Sequence, residues 1–138
     1  MDAPAALARL RDISSQVRAA VIFERGGKVV GSTLADGERA KQVAQESGDL
    51  LAEAELRGGD GGSAEFAQLE VALQAGSVFV VRHGDRLIAA TTPPEPTVGL
   101  VFYDLKSCLR DLDEAAPAKK APPTRQSPRP KKKSDAKP

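Results

Sequence analysis

Hydrophobic positions recur along the chain with two periods, and the switches between them mark out the elements. Leu7, Leu10, Ile13 and Val17 fall three, three and four residues apart, which places them on one face of a helix over residues 3–17. Asp2 can cap its start, and Pro4 stands in the first turn, where a missing N–H costs little. Residues 19–23 (Ala-Ala-Val-Ile-Phe) and 28–33 (Lys-Val-Val-Gly-Ser-Thr) then flank Gly26-Gly27. Two β-prone runs around a glycine pair predict an antiparallel hairpin, because glycine enters positive φ without strain.

A helical period returns after Asp36-Gly37. Ala40, Val43, Ala44, Ser47, Leu50, Leu51 and Ala54 share one face, and Gly58-Gly59 stand where a helix stop belongs. Residues 63–75 read two ways: their Ala, Glu, Gln and Leu favour helix, yet Ala67, Leu69, Val71 and Leu73 alternate with Gln68, Glu70, Ala72 and Gln74 as a half-buried strand would. The local pattern leaves that segment open. Residues 78–81 and 87–91 predict a second hairpin turning at Gly84-Asp85. Beyond Pro93-Pro94-Glu95-Pro96, Thr97 can cap a helix whose Val98, Val101, Phe102, Leu105, Cys108, Leu109 and Leu112 form one apolar stripe.

Charge divides the chain in two. Its net charge is only +1 over 138 residues, but residues 115–138 hold Lys119, Lys120, Arg125, Arg129, Lys131, Lys132, Lys133 and Lys137 against Asp135. That tail carries +7 and leaves −6 on residues 1–114. It also holds six of the ten prolines and no aromatic or β-branched apolar residue. Such a segment cannot bury enough surface to offset its ordering entropy. The expected organisation is one folded domain over 1–114 and a disordered Lys/Pro-rich tail over 115–138.

Catalytic chemistry has little to work with. The single cysteine, Cys108, falls on the apolar stripe of the last helix, and the single histidine, His83, reads as a solvated turn residue. Neither supports a nucleophile and base, and together they cannot supply a zinc-ligand spacing. The glycine-rich residues 58–62 lack a following Lys-Ser/Thr pair, so they read as a flexible connection and not as a phosphate-binding loop. No enzyme activity, cofactor or metal is expected. Glu38, Glu46, Asp49, Glu53 and Glu55 read as a solvated helix face, with a partner-binding role as the alternative. In the tail, Arg129, Lys131, Lys132 and Lys133 could bind the phosphates of nucleic acid or an anionic membrane. No secretory signal pattern opens the chain, and no apolar run approaches the roughly 20 residues of a membrane span, so a cytoplasmic protein is expected.

Several stretches together resemble the Roadblock/LC7 family, most closely its bacterial members encoded near Ras-like GTPases. They are the hairpin over residues 20–32; Leu69-Glu70-Val71 followed by Gly76-Ser77-Val78-Phe79-Val80-Val81; Gly84-Asp85 with Leu87-Ile88-Ala89-Ala90; and Val98-Gly99-Leu100-Val101-Phe102-Tyr103-Asp104-Leu105. The resemblance covers about residues 5–113. It implies an α+β fold of order α-β-β-α-β-β-β-α, with a five-stranded antiparallel sheet, the long helix on one face and the two terminal helices on the other. Residues 63–75 become strand on that basis.

The resemblance also implies a homodimer whose two-fold interface is built from residues 38–57 and 64–74. The candidate interface residues are Val43, Ser47, Leu50, Leu51, Leu69, Val71 and Leu73. The function it implies is that of a non-enzymatic signalling adaptor that binds a Ras-like small GTPase. Two other readings stay open at the level of sequence. One is a dimeric tether whose basic tail binds anionic membrane or nucleic acid, and the other is a small-molecule sensor with a cavity between sheet and helices.

Overall fold

Short polar side chains set the helix starts. Asp2 Oδ1 accepts the amide of Ala5 at 3.0 Å, and Asp36 Oδ1 accepts those of Glu38 and Arg39 at 3.0 and 3.3 Å, satisfying N–H groups that have no partner within the helix. The computed structural model describes residues 1–58 and 66–115. Its elements are α1 (Ala3–Ile13), β1 (Ala19–Glu24), β2 (Val29–Ser32), α2 (Gly37–Gly58), β3 (Phe66–Leu73), β4 (Gly76–His83), β5 (Arg86–Thr92) and α3 (Val98–Ala115). The fold is α+β, as expected, and residues 66–73 of the open segment are strand.

The five strands form one sheet in the order β2-β1-β5-β4-β3, antiparallel at every junction. β1, β5 and β4 lie inside it and are apolar on both faces, because each face is covered. On one face α1 and α3 bury Leu7, Leu10, Leu105 and Leu109 against Ile22, Phe79 and Ile88. On the other, α2 buries Ala40, Ala44 and Leu51 against Val21, Phe23 and Val80. Phe79 and Phe102 meet edge to face at 5.0 Å, an arrangement that adds to area burial through the ring quadrupoles.

α1 runs antiparallel to α3. The Met1 ammonium donates to the Asp111 carbonyl at 3.3 Å, and at the other end the Thr97 amide donates to Gln16 Oε1 at 2.6 Å. Close approach of α1 to β2 needs Gly31, where a Cβ would lie 2.7 Å from that of Ala3. Gly76, with φ of 149°, starts β4 against the Thr92 carbonyl oxygen, which any Cβ would strike.

Three local expectations are corrected. α1 ends at Ile13 and not at Val17: the Ser14 hydroxyl oxygen accepts the amides of Gln16 and Val17, both at 3.3 Å, and turns the chain toward β1. Ile13 is consequently half exposed, while Val17 reaches the core from outside the helix. Val98 is also exposed, since the buried stripe of α3 begins at Val101, whose amide makes a helical bond to Thr97. His83 is no turn residue: it ends β4, and its ring stacks on Phe66 at 4.4 Å.

Candidate interaction surface

β3 is an edge strand, paired only with β4 among the described strands. Among the described residues no strand pairs with its outer side, which makes that side a template for a further strand. Register fixes which side chains lie where. Leu69 stands opposite Val80 and Val71 opposite Val78, so Leu69, Val71 and Leu73 share the face covered by α2.

The cover is incomplete. Gln45 approaches Gly27, and α2 borders the β1–β2 turn through Gln45, Gly48, Asp49 and Ala52. Helical geometry then places Val43, Ser47, Leu50 and Ala54 on the opposite flank, toward β3. Leu50 is 44% exposed and Leu73 60%, while Val43, Leu69, Val71 and Val78 are only half-buried. Fully covering one such side chain is worth about 1.5–3 kcal/mol. Open strand edge and uncovered apolar side chains thus coincide in one place.

The sequence-derived interface residues separate into two groups here. Val43, Leu50, Leu69, Val71 and Leu73 reach the surface of this corner, whereas Leu51 (2% exposed) and Ser47 (6%) are buried within the chain itself. Leu51 belongs to the α2 core and supports the corner from beneath. Arg129, Lys131, Lys132 and Lys133 lie outside the described residues, as do residues 59–62 of the glycine loop.

Two features escaped the sequence. Glu55, grouped with the solvated acidic face, receives both Nε and Nη2 of Arg82 on its Oε2 at 3.1 and 2.6 Å. The Arg82 side chain is 4% exposed, and Nη1 donates to the Gly84 carbonyl at 3.3 Å, so the charge is paired as burial requires. A helix and a strand 27 residues apart are clamped by this pair, and no local pattern signals it. The second feature lies on the opposite face of the sheet, where Lys106 Nζ and Arg110 Cζ stand 5.5 and 5.1 Å from the centre of the Phe66 ring. Phe66 and His83 face each other in the register of β3 and β4, but only knowledge of that register could have found them.

Buried titratable groups here are structural. Burial pushes the Cys108 thiol up to about 12, with a further rise from Asp111 nearby, and its Sγ donates to the Ala6 carbonyl at 3.6 Å. A thiol so protonated is no nucleophile at neutral pH. Among the described residues no group of three or more His, Cys, Asp or Glu could hold a metal ion. A groove of about 180 Å3 lies between α2 and the β1–β2 turn, below the roughly 300–1,000 Å3 of small-molecule pockets. No described helix is long and apolar enough to cross a membrane.

A sheet covered by helices on both faces, with an apolar corner beside the β3 edge incompletely covered, defines a small α+β domain. Its fold is that of Roadblock/LC7 domains. A Roadblock/LC7 domain from Streptomyces avermitilis superimposes with a TM-score of 0.72 at 20% identity, over 84% of this chain and 98% of that one. MglB of Myxococcus xanthus gives 0.61 at 16%, over 81% and 85%. The gliding protein MglB of Thermus thermophilus gives 0.60 at 20%, over 83% and 87%. No family model and no curated protein sequence matches the chain.

Proposed function

We propose that the chain is a homodimeric, non-enzymatic regulator of a Ras-like small GTPase. The observation that carries the reading is the coincidence of the open β3 edge with the uncovered Val43, Leu50, Leu69, Val71 and Leu73. A second copy brought to that corner extends the sheet across the two-fold axis and covers these side chains, removing an aggregation-prone edge. Support for self-association comes also from an MglB structure of the same fold, described as having a tetrameric arrangement. The GTPase partner follows from the sequence resemblance to bacterial Roadblock/LC7 proteins.

In this reading the paired sheets act as a rigid surface against the switch segments of the GTPase. The regulator biases how those segments order around the nucleotide and leaves phosphate chemistry to the partner. Residues 1–114 form the dimerising domain, and residues 115–138 are a basic spacer or anion-binding tail whose role rests on charge alone. The small-molecule sensor reading draws little from the groove between sheet and α2, at about 180 Å3, and the larger groove of about 420 Å3 between Glu70, Ser77 and Glu95 lies open to solvent.

The test combines the full-length chain with each Ras-like GTPase of its source cell, loaded with fluorescent GDP or a non-hydrolysable GTP analogue. A complex that prefers one nucleotide state, together with a changed rate of nucleotide release or hydrolysis, is the expected result. No complex and no rate change with any of them overturns the GTPase reading.

A further inference from the structure

The open groove of about 420 Å3 runs between the turn joining β3 to β4 and the segment leading into α3, with Glu70, Ser77, Pro94, Glu95, Pro96 and Val98 in its walls. Among the described residues no Lys, Arg or His lines it. Its walls are fixed against each other. The backbone of Gly76 abuts the Thr92 carbonyl, and the Thr92 hydroxyl donates to the Pro93 carbonyl at 2.9 Å. Glu70 is half-buried and accepts the Ser77 hydroxyl at 3.4 Å, while Glu95 is held in the left-handed region at φ 57°. Among the described residues neither carboxylate has a cation within 4.0 Å, whereas Glu38, Glu53, Glu55, Asp85 and Asp111 each have one. The start of α3 contributes only about +0.5 of an elementary charge, so the groove stays negative. Pro94, Pro96 and Val98 add apolar wall to it.

We infer that this groove is the docking site of the chain's own basic run Arg129-Pro130-Lys131-Lys132-Lys133, bound within the same chain. Charge and composition point to that occupant: residues 115–138 carry +7, and cations set beside proline match two carboxylates between apolar walls. Reach then selects among the tail's cations. The groove lies at the start of α3, and the tail leaves α3 at Ala115, 17 residues after Val98 and a rise of about 26 Å away. Lys119 and Lys120 stand four and five residues beyond Ala115 and span at most about 18 Å even fully extended. Arg129 stands 14 residues beyond it, a reach of about 43 Å as polyproline II and about 19–22 Å as a relaxed coil. A linker whose relaxed length lies near the span gives the highest effective concentration. Exposed ion pairs are individually weak, so docking draws on several of them together with the tether, and it is reversible and salt-sensitive. While docked, the run is withheld from other anionic surfaces, and a stronger one competes for it. This requires neither the dimer nor the GTPase partner.

A nitroxide on the tail of the full-length chain tests this. Ser134→Cys adds a thiol next to the basic run, and the buried, protonated Cys108 does not compete for the label. The labelled chain is isotope-enriched and diluted with an excess of unenriched, unlabelled native chain, so that only contacts within one chain are seen. The amide signals of Gly76, Ser77 and Val98 are expected to lose most of their intensity at about 0.1 M salt and to recover it at about 1 M, where the screening length falls from about 10 Å to about 3 Å. Glu70→Gln with Glu95→Gln should restore the signals at the lower salt. Arg129→Gln with Lys131→Gln, Lys132→Gln and Lys133→Gln should do the same without touching the folded domain. Signals that stay intact in the native background at the lower salt, or that weaken as much in the tail variant, overturn the proposal. Weakening centred on the acidic residues of α2 overturns it too. So does weakening seen only when nitroxide and isotope are on different chains, which would make a second copy's tail the occupant.

Discussion

Asp104 shows how a single side chain carries a readable pH signature. It is 6% exposed on α3, and burial raises its pKa above 3.8, an effect partly offset by a hydrogen bond from the Ser14 hydroxyl. A raised carboxyl favours the folded state fully below the unfolded value of 3.8, and that contribution is lost as pH rises through the folded pKa. Asp104→Asn keeps an acceptor for Ser14 without the charge. The variant should melt higher than the native chain at pH 7, and the difference should shrink toward pH 3.8 and below. Thermal melts across that range check it; a difference that stays constant with pH, or grows on acidification, would contradict the assignment. Position on the stripe of the last helix was enough to place Cys108 in the core. It was not enough for Asp104, because its partner Ser14 is remote in sequence.

At the scale of elements, the Arg82–Glu55 pair clamps the C-terminal half of α2 to β4. Removing either partner breaks a charge-assisted contact of the buried Arg82, so Glu55→Ala or Arg82→Ala should each cost about 1.5–3 kcal/mol of folding stability. Replacing both by apolar residues of similar size, Glu55→Leu with Arg82→Met, should restore most of it. Denaturant titration decides, and equal losses in the single and double variants would show that the pair does not hold the helix. Elements covered on both faces, such as β1, β4 and β5, were legible as continuous apolar runs. The two long helices were legible from their period. β3 was not, because its residues also suit a helix and its α1/α3-facing side holds Gln68, Glu70 and Ala72, which give the strand only one apolar face. The end of α1 was misplaced for a related reason: Val17 continues the helical spacing but reaches the core through a turn made by Ser14.

For the whole molecule, the sequence carried the layer order, with α2 opposite α1 and α3, only through joint resemblance of several stretches. The surface corner was half legible: Leu69, Val71 and Leu73 announced an apolar strand face, but the exposure of Leu50 beside the burial of Leu51 depends on how α2 is rotated over the sheet. The account stands on that corner being covered by a second copy. Sedimentation equilibrium of the full-length chain at micromolar concentration measures this directly. The predicted mass is twice the 14.5 kDa of one chain, and Leu69→Lys, which sets a charge at the seam, should return it to that of one chain while the variant still melts cooperatively. A native chain that sediments as a monomer throughout the micromolar range would contradict the account.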